Sequence, residues 1–354
     1  MEKQEKTLEA SSSFLSVICE YGLFLAETVT IVIAVIFVAA VILSLAAKGK
    51  DRGKDTIEIK NINEKFDEMK EMAQEEILNK KELKKLQKEK KAKEKAQKGD
   101  DEKKPRLYVI NFDGDTEAAQ VENLREEVTT ILSIADKDDE VAICLESPGG
   151  VVHGYGLAAS QLDRIKQHNI PLTVIVDKVA ASGGYMMACI ADKIISAPFA
   201  IIGSIGVVLQ IPNFNRLLKK HDVDYETITG GEYKRTLTLF GENTDKARKK
   251  AKEEIDEVHV LFKDYVSKYR PNLDITKVAT GEHWFGLKAL ELQLVDEIST
   301  SDDYLLAKSK EVDIFEISRI QKQSLKEKIA SAAELTLSRL IKRIHKQEKT
   351  SQYS

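Results

Sequence analysis

At 354 residues, 42% hydrophobic and 32% charged, the chain has room for about two domains, and its formal net charge of −4 hides strong local asymmetry. Three cysteines (Cys19, Cys144 and Cys189) are too few for a disulfide framework. No CxxC pair or His-x-x-Glu-His spacing occurs, which leaves a metal or other cofactor without support. Cys144 sits in an apolar strand-like run and Cys189 in an apolar helix-like one, so both are expected to be buried free thiols.

Residues 1–27 form a short, slightly acidic leader. Residues 28–47, TVTIVIAVIFVAAVILSLAA, carry no charge. At about 1.5 Å per helical residue such a run covers about 30 Å of hydrocarbon. The leader lacks the basic n-region of a cleaved signal, and the apolar run exceeds the usual length of about 7–15 residues. A retained single-span membrane anchor is expected. Lys48, Lys50, Arg52 and Lys54 follow it, which by the positive-inside rule puts the bulk of the chain in the cytoplasm.

Residues 48–104 read as a charged helical stalk. Ile62, Phe66, Met69, Ala73 and Ile77 make an amphipathic stripe, and ten lysines stand against three glutamates over residues 80–98. Such a lysine run could also meet anionic lipid. It carries no interleaved aromatic residue, so nucleic acid is not expected as a partner.

From residue 105 the texture changes to alternating strands and helices. Strands are predicted at 107–114, 141–145, 172–176, 193–197, 201–210, 223–229 and 294–298. Helices are predicted at 121–135, 156–168, 185–190, 244–269 and 287–294. This alternation implies an α/β domain with parallel strands joined by crossovers, assigned to residues 105–310. Residues 311–354 read as an amphipathic tail, suited either to a membrane surface or to a partner subunit.

Chemistry concentrates at two glycine corners, Ser147-Pro148-Gly149-Gly150 and Ser182-Gly183-Gly184. In a parallel sheet both fall at the carboxyl edge, where sites collect. Ser182, at a strand-to-helix corner, is the candidate nucleophile. Gly149 and Gly150 are the candidate oxyanion donors, because glycine lets backbone N–H groups approach a substrate carbonyl. A serine hydroxyl needs a base. The setting Ala-Ala-Ser-Gly-Gly is not the G-x-S-x-G elbow of triad hydrolases. His153 lies near the first corner, and His283 beside Trp284 reads as structural. A lysine can serve where desolvation disfavours its ammonium form. Lys234 is the informative one, following Gly230-Gly231 in GEYKRT.

The stretches ESPGGVVHGYGLAASQLDRIK, PLTVIVDKVAASGGYMMACIADKIISAPFAIIGSIGVV, PNFNRLLKK, GEYKRTLTLFGENT and TGEHWFGLKALELQLVDEI resemble the bacterial signal peptide peptidase A family of membrane serine proteases, most closely its SohB branch. The likeness runs through nearly the whole length. It implies a ClpP/crotonase-like α/β fold, behind an N-terminal transmembrane helix and a charged helical stalk, and a Ser–Lys dyad without cofactor. Ser182 matches the nucleophile and Lys234 the general base. Ser204 matches a serine that hydrogen-bonds the base, and Gly149 the oxyanion donor. It further implies a homo-oligomer in which the dyad can be shared between subunits, located in the bacterial inner membrane, with signal-peptide remnants or other apolar, unfolded peptides as substrates. Relatives acting on the outer side of the membrane compete with the basic flank, so the side stays open. The alternatives are a crotonase-like acyl-CoA enzyme and a non-catalytic membrane scaffold.

Overall fold

Four apolar runs become the central strands: β2 (Arg106–Asp113), β3 (Glu140–Glu146), β4 (Leu172–Val176) and β6 (Lys193–Ser196). The computed structural model describes residues 56–86, 88 and 104–320, together with Val29. The strands lie side by side and parallel, with Tyr108 opposite Val141, Val141 opposite Leu172 and Val174 opposite Ile194. Such near-continuous hydrophobic strands are buried on both faces. Alternation along each strand sends side chains to two separate cores. Tyr108, Ile110 and Phe112 with Val141, Ile143 and Leu145 pack on one face, beneath Leu124 and Val128 of α2 (Val121–Ile134) and Leu162 and Ile165 of α3 (Val152–Gln167). Leu107, Val109, Ala142, Ile175 and Ile195 pack on the other with Ile62 of α1 (Ile62–Ile77). The partly buried Tyr304 and Leu305 of α9 (Ser301–Lys308) complete that layer.

The full sheet runs β1-β10-β2-β3-β4-β6-β9, with β1 (Thr56–Asn61), β9 (Glu297–Ile298) and β10 (Asp313–Ile320) at its flanks. A smaller sheet, β5-β7-β8, is built from Val179–Ala181, Ile201–Gly203 and His283–Phe285. Further helices are α4 (Gly183–Ala188), α5 (Asn215–Lys220), α6 (Asp245–Tyr269), α7 (Ile275–Val278) and α8 (Gly286–Glu291). The charged α6 is opened by the Thr244 side chain, which accepts from the Ala247 amide at 3.2 Å. It buries Ala251, Phe262 and Val266.

Several expectations change. The stalk expected to be helical over 48–104 begins its described part with a strand: TIEIKN places isoleucines at alternate positions, and β1 joins the sheet. The segment expected as a tail from 311 contributes β10, inserted between β1 and β2 with Ile314 opposite Leu107. Asn63 holds it there. Its amide donates to the Ser309 and Val312 carbonyls, both at 3.0 Å, and its carbonyl accepts from the Ile314 amide at 2.7 Å. The strand expected at 201–210 stops at Gly203, because Gly203 and Ser204 take φ of +99° and +50° and leave the extended region. The strand expected at 223–229 does not form. Its residues are exposed, and β-propensity yields a strand only where a neighbour completes the ladder. α3 begins four residues before the expected start. Contacts group residues 57–319 into one unit; the other, 1–56 with 320–354, lies almost wholly outside the described residues. The expected anchor at 28–47 belongs to that portion. Among the described residues no helix is long and apolar enough to cross a membrane.

The end of α6 is fastened to the sheet by an ion pair. The Arg270 guanidinium grips Asp296 through two bonds of 2.9 and 2.7 Å and also donates to the Gln293 carbonyl at 3.0 Å. Asp296 in turn accepts from the Ile194 amide at 2.7 Å. Burial pushes the Asp296 carboxyl up, but the Arg270 fork and the Ile194 amide together hold it below the usual carboxylate range. A carboxyl depressed on folding stabilises fully above its unfolded pKa of about 3.9 and loses that contribution as pH falls through the folded value. Asp296→Asn should therefore cost about 1–2 kcal/mol at pH 7 in urea denaturation, with the gap to the parent closing as the pH falls below about 3.9.

Candidate active site

Ser182 follows β5, a strand absent from the sequence-based expectation. β5 runs parallel to β7 on one side, with Ala181 opposite Gly203, and makes a parallel bridge from Ala180 to Ser147 on the other. The chain then breaks sharply: Ser182 has φ 52° and ψ −117°. A non-glycine residue held there costs of order 1–3 kcal/mol and persists only where the surroundings over-determine it. Here the Ser182 amide donates to the Gly203 carbonyl at 2.8 Å, and its carbonyl accepts from the Met186 amide at 2.9 Å as α4 begins. The residue is half-buried.

The corner after β3 lies directly against it. Gly149 has φ +85°, and a methyl group there would sit 2.6 Å from the Gly183 nitrogen and 2.8 Å from Ser182 Cβ. A methyl on Gly150 would sit 2.0 Å from the Thr116 carbonyl oxygen. The Gly149 amide, expected to be an oxyanion donor, already donates to Ser147 Oγ at 3.1 Å. The amides of Gly150 and Gly183 have no acceptor among the described residues. The sequence places Gly183 in the second glycine corner but offers only Gly149 and Gly150 as donors; that the Gly183 amide lacks an acceptor among the described residues depends on the fold.

Ser182 opens onto a cleft of about 930 Å³. Its walls include Pro148, Gly149, Gly150, Ser204, Val207 and Val208, with Ala251, Ile255 and His259 along α6. An apolar side pocket of about 250 Å³ shares Gly150 and Ser182 and is lined by Tyr155, Met186, Val207, Val258, Phe262 and Tyr265.

Ser182, Gly149, Gly150 and Ser204 are thus brought together. Ser204 is half-buried, with its amide on the Glu282 carbonyl at 2.7 Å. Lys234 is not among the residues lining the cleft. It is exposed, in a turn where its amide meets the Gly231 carbonyl at 3.3 Å. Lys252 of α6 does line the cleft, ion-paired to Asp256. His153 is exposed on α3 and lines neither cavity, and His283 is exposed on β8. Burial pushes the Cys144 and Cys189 thiols up to about 12, which leaves them unreactive.

Residues 16–162 match the family model "Peptidase family S49 N-terminal", and residues 164–314 match the model "Peptidase family S49". The chain belongs to peptidase family S49. A Haemophilus influenzae relative named "Probable protease SohB" is 51% identical over 335 residues, covering 91% of this chain and 95% of its own. A relative of the same name from Buchnera aphidicola subsp. Acyrthosiphon pisum is 55% identical over 241 residues, covering 68% and 72%. Among solved structures, a mutant of the 1510-N membrane-bound stomatin-specific protease with a substrate peptide covers 65% of this chain and 98% of its own, at 16% identity and a TM-score of 0.41. The family and these relatives make this S49 member a protease, and its own strands and helices give it a mixed α/β fold.

In this S49 peptidase the closeness of the two corners makes Gly149→Ala a sharp probe. The new methyl meets backbone that cannot rotate away, at a φ that L-residues avoid. The expected cost is about 2–4 kcal/mol of stability, read by thermal denaturation. Peptidase activity of the remaining folded protein should fall at least about tenfold, because the Gly183 amide and Ser182 must move.

Proposed function

We propose that this S49 peptidase is a membrane-anchored serine endopeptidase on a ClpP/crotonase-like fold, with Ser182 as nucleophile and Lys234 as general base. The observation that carries the reading is the backbone of Ser182. A strained serine stands at the mouth of a cleft, beside two amides without acceptors among the described residues and next to an apolar pocket.

In the proposed reaction neutral Lys234 takes the Ser182 Oγ proton as Oγ attacks the scissile carbonyl carbon. The carbonyl oxygen becomes an oxyanion held by the Gly149–Gly150 corner, through the Gly150 amide, and by the Gly183 amide. One such donor is worth about 10²–10³ in kcat. Collapse expels the amine, which takes the proton from the Lys234 ammonium and leaves an acyl-serine. Water then attacks the acyl carbon, giving its proton to Lys234; the acyl C–Oγ bond breaks, Ser182 Oγ takes that proton back from Lys234, and the acid leaves. Ser204, in the cleft wall, would orient the lysine by a hydrogen bond.

Lys234 reaches the cleft from a second copy of the chain. Supporting this, Lys234 lies outside the cleft, in a segment that exposes Ile228 (96%) and Tyr233 (47%), the kind of apolar surface that marks a contact between proteins. The apolar side pocket suits extended, apolar peptides such as signal-peptide remnants or unfolded membrane-protein fragments. The uncharged residues 28–47 would hold the enzyme in the bacterial inner membrane through a single span.

Ser182→Ala and Lys234→Ala should each lower peptide hydrolysis by about 10³-fold or more. Mixing the two inactive variants before assembly should restore roughly a quarter of the activity, the chance that an intact serine meets an intact lysine from its neighbour. Activity surviving in either single variant would remove the dyad, and a dead mixture would remove the sharing between copies.

A further inference from the structure

The two amides beside Ser182 are braced by one buried chain of hydroxyl groups that no step of the proposed reaction uses. The Tyr155 phenol donates to the Asp115 carbonyl at 2.7 Å. Tyr155 Oη and Ser147 Oγ are 2.5 Å apart, and Ser147 Oγ accepts from the Gly149 amide at 3.1 Å. With the single phenol proton directed at Asp115, the Ser147 hydroxyl must be the donor to Tyr155. The chain therefore has one direction: Gly149 N–H to Ser147 Oγ–H to Tyr155 Oη–H to the Asp115 carbonyl. Both side-chain residues are 0% exposed, so these bonds are shielded from bulk solvent. Burial also raises the Tyr155 phenol above its ordinary value, keeping it protonated and able to donate.

The backbone shows how closely this chain is built around the serine. A methyl on Gly114 would fall 2.5 Å from Tyr155 Oη and 2.7 Å from Ser147 Oγ, so the two hydroxyls meet in space that only a glycine leaves open. A methyl on Gly183 would fall 2.3 Å from Tyr155 Cγ: the ring lies directly under the residue that follows Ser182. The backbone of Ser147 is tied to β5, accepting from the Ala181 amide at 3.0 Å and donating to the Val179 carbonyl at 2.8 Å.

We infer that Ser147 and Tyr155 are positioning residues for the peptidase reaction, which together hold the Gly150 and Gly183 amides where the oxyanion forms. The hydroxyl end of Tyr155 acts through Ser147 on the first corner, consuming the Gly149 N–H and leaving that of Gly150 as the corner's donor. The ring of Tyr155 acts on the second corner by setting the height of Gly183. A single side chain thus registers the two halves of the oxyanion site against each other. Neither residue touches the reacting atoms, and both act only through backbone.

The inference rests on Ser182 being the nucleophile, and the test separates the two. Tyr155→Phe, Ser147→Ala, the double variant and Ser182→Ala are compared as full-length protein in detergent micelles. The readouts are kcat and KM on a fluorogenic apolar peptide, and inhibition by a peptide aldehyde that forms a tetrahedral adduct on a serine. Tyr155→Phe keeps the ring under Gly183 and so keeps the packing. Each single variant should lose about 10–100-fold in kcat with KM within about twofold, since misplacement of order 1 Å costs about 10²-fold. Aldehyde affinity should fall by the same factor as kcat/KM. The double variant should be no slower than the slower single one, because both cut the same chain. A Tyr155→Phe enzyme within twofold of the parent in kcat, a loss confined to KM, or losses that multiply in the double variant would each overturn the inference. If Ser182→Ala is inactive while Tyr155→Phe is fully active, only the positioning role falls. If Ser182→Ala retains activity, the nucleophile and the positioning role fall together.

Discussion

β5 is three residues long, yet its backbone is divided between two sheets. On one side it bonds to Ser147, the first residue of the first glycine corner, and on the other it pairs with β7. That double tether brings the ends of β3, β5 and β7 to one point and leaves Ser182 no freedom to relax. The strained φ and ψ at Ser182, the methyl-free approach of Gly149 to Gly183, and the turn of the chain at Gly203 and Ser204 all follow from it. Local strain at one serine is stabilised by bonds from three strands, so its cost is spread over the core beneath.

That core is a product of alternation. Strands buried on both faces need two hydrophobic layers, and odd and even positions of β2 and β3 supply them separately. The layer containing Tyr108 and Ile143 extends through α2 and α3 to Tyr155, which stands where the core meets the cleft. α6 closes the opposite wall of that cleft and is fixed at its far end by Arg270 and Asp296. The side pocket therefore lies between two rigidly seated helices.

Much of this was legible in the residues. Alternating apolar runs and helical periodicity located β2, β3, β4, β6, α2 and most of α6 within one or two residues, and the two glycine corners pointed to Ser182, Gly149 and Gly150. What escaped notice had physical reasons. The glycines at 154 and 156 disguised the first turn of α3, which hid Tyr155 in an apparent loop. Ser147 looked like a turn residue because its value lies in a hydrogen bond, which spacing cannot reveal. β1 and β10 were hidden because short strands with charges between their apolar residues resemble amphipathic helix. Lys234 was singled out by its motif, but its distance from the cleft depends on how the segment around it is covered, and that information is not local. The strand expected at 223–229 had the right composition and no neighbour to pair with.

The position of β10 also sets an order of events. It lies between β1 and β2, clasped by Asn63, so the first and last described strands are neighbours in the sheet although the whole domain separates them along the chain. During synthesis β1 emerges early and has nothing to lean on, and β2 keeps a bare edge, until residues 313–320 leave the ribosome. The main sheet is completed last, from its interior. A nascent chain therefore waits for nearly its entire translation before β1 can dock, and a ribosome that stalls short of residue 313 releases a sheet with an open seam.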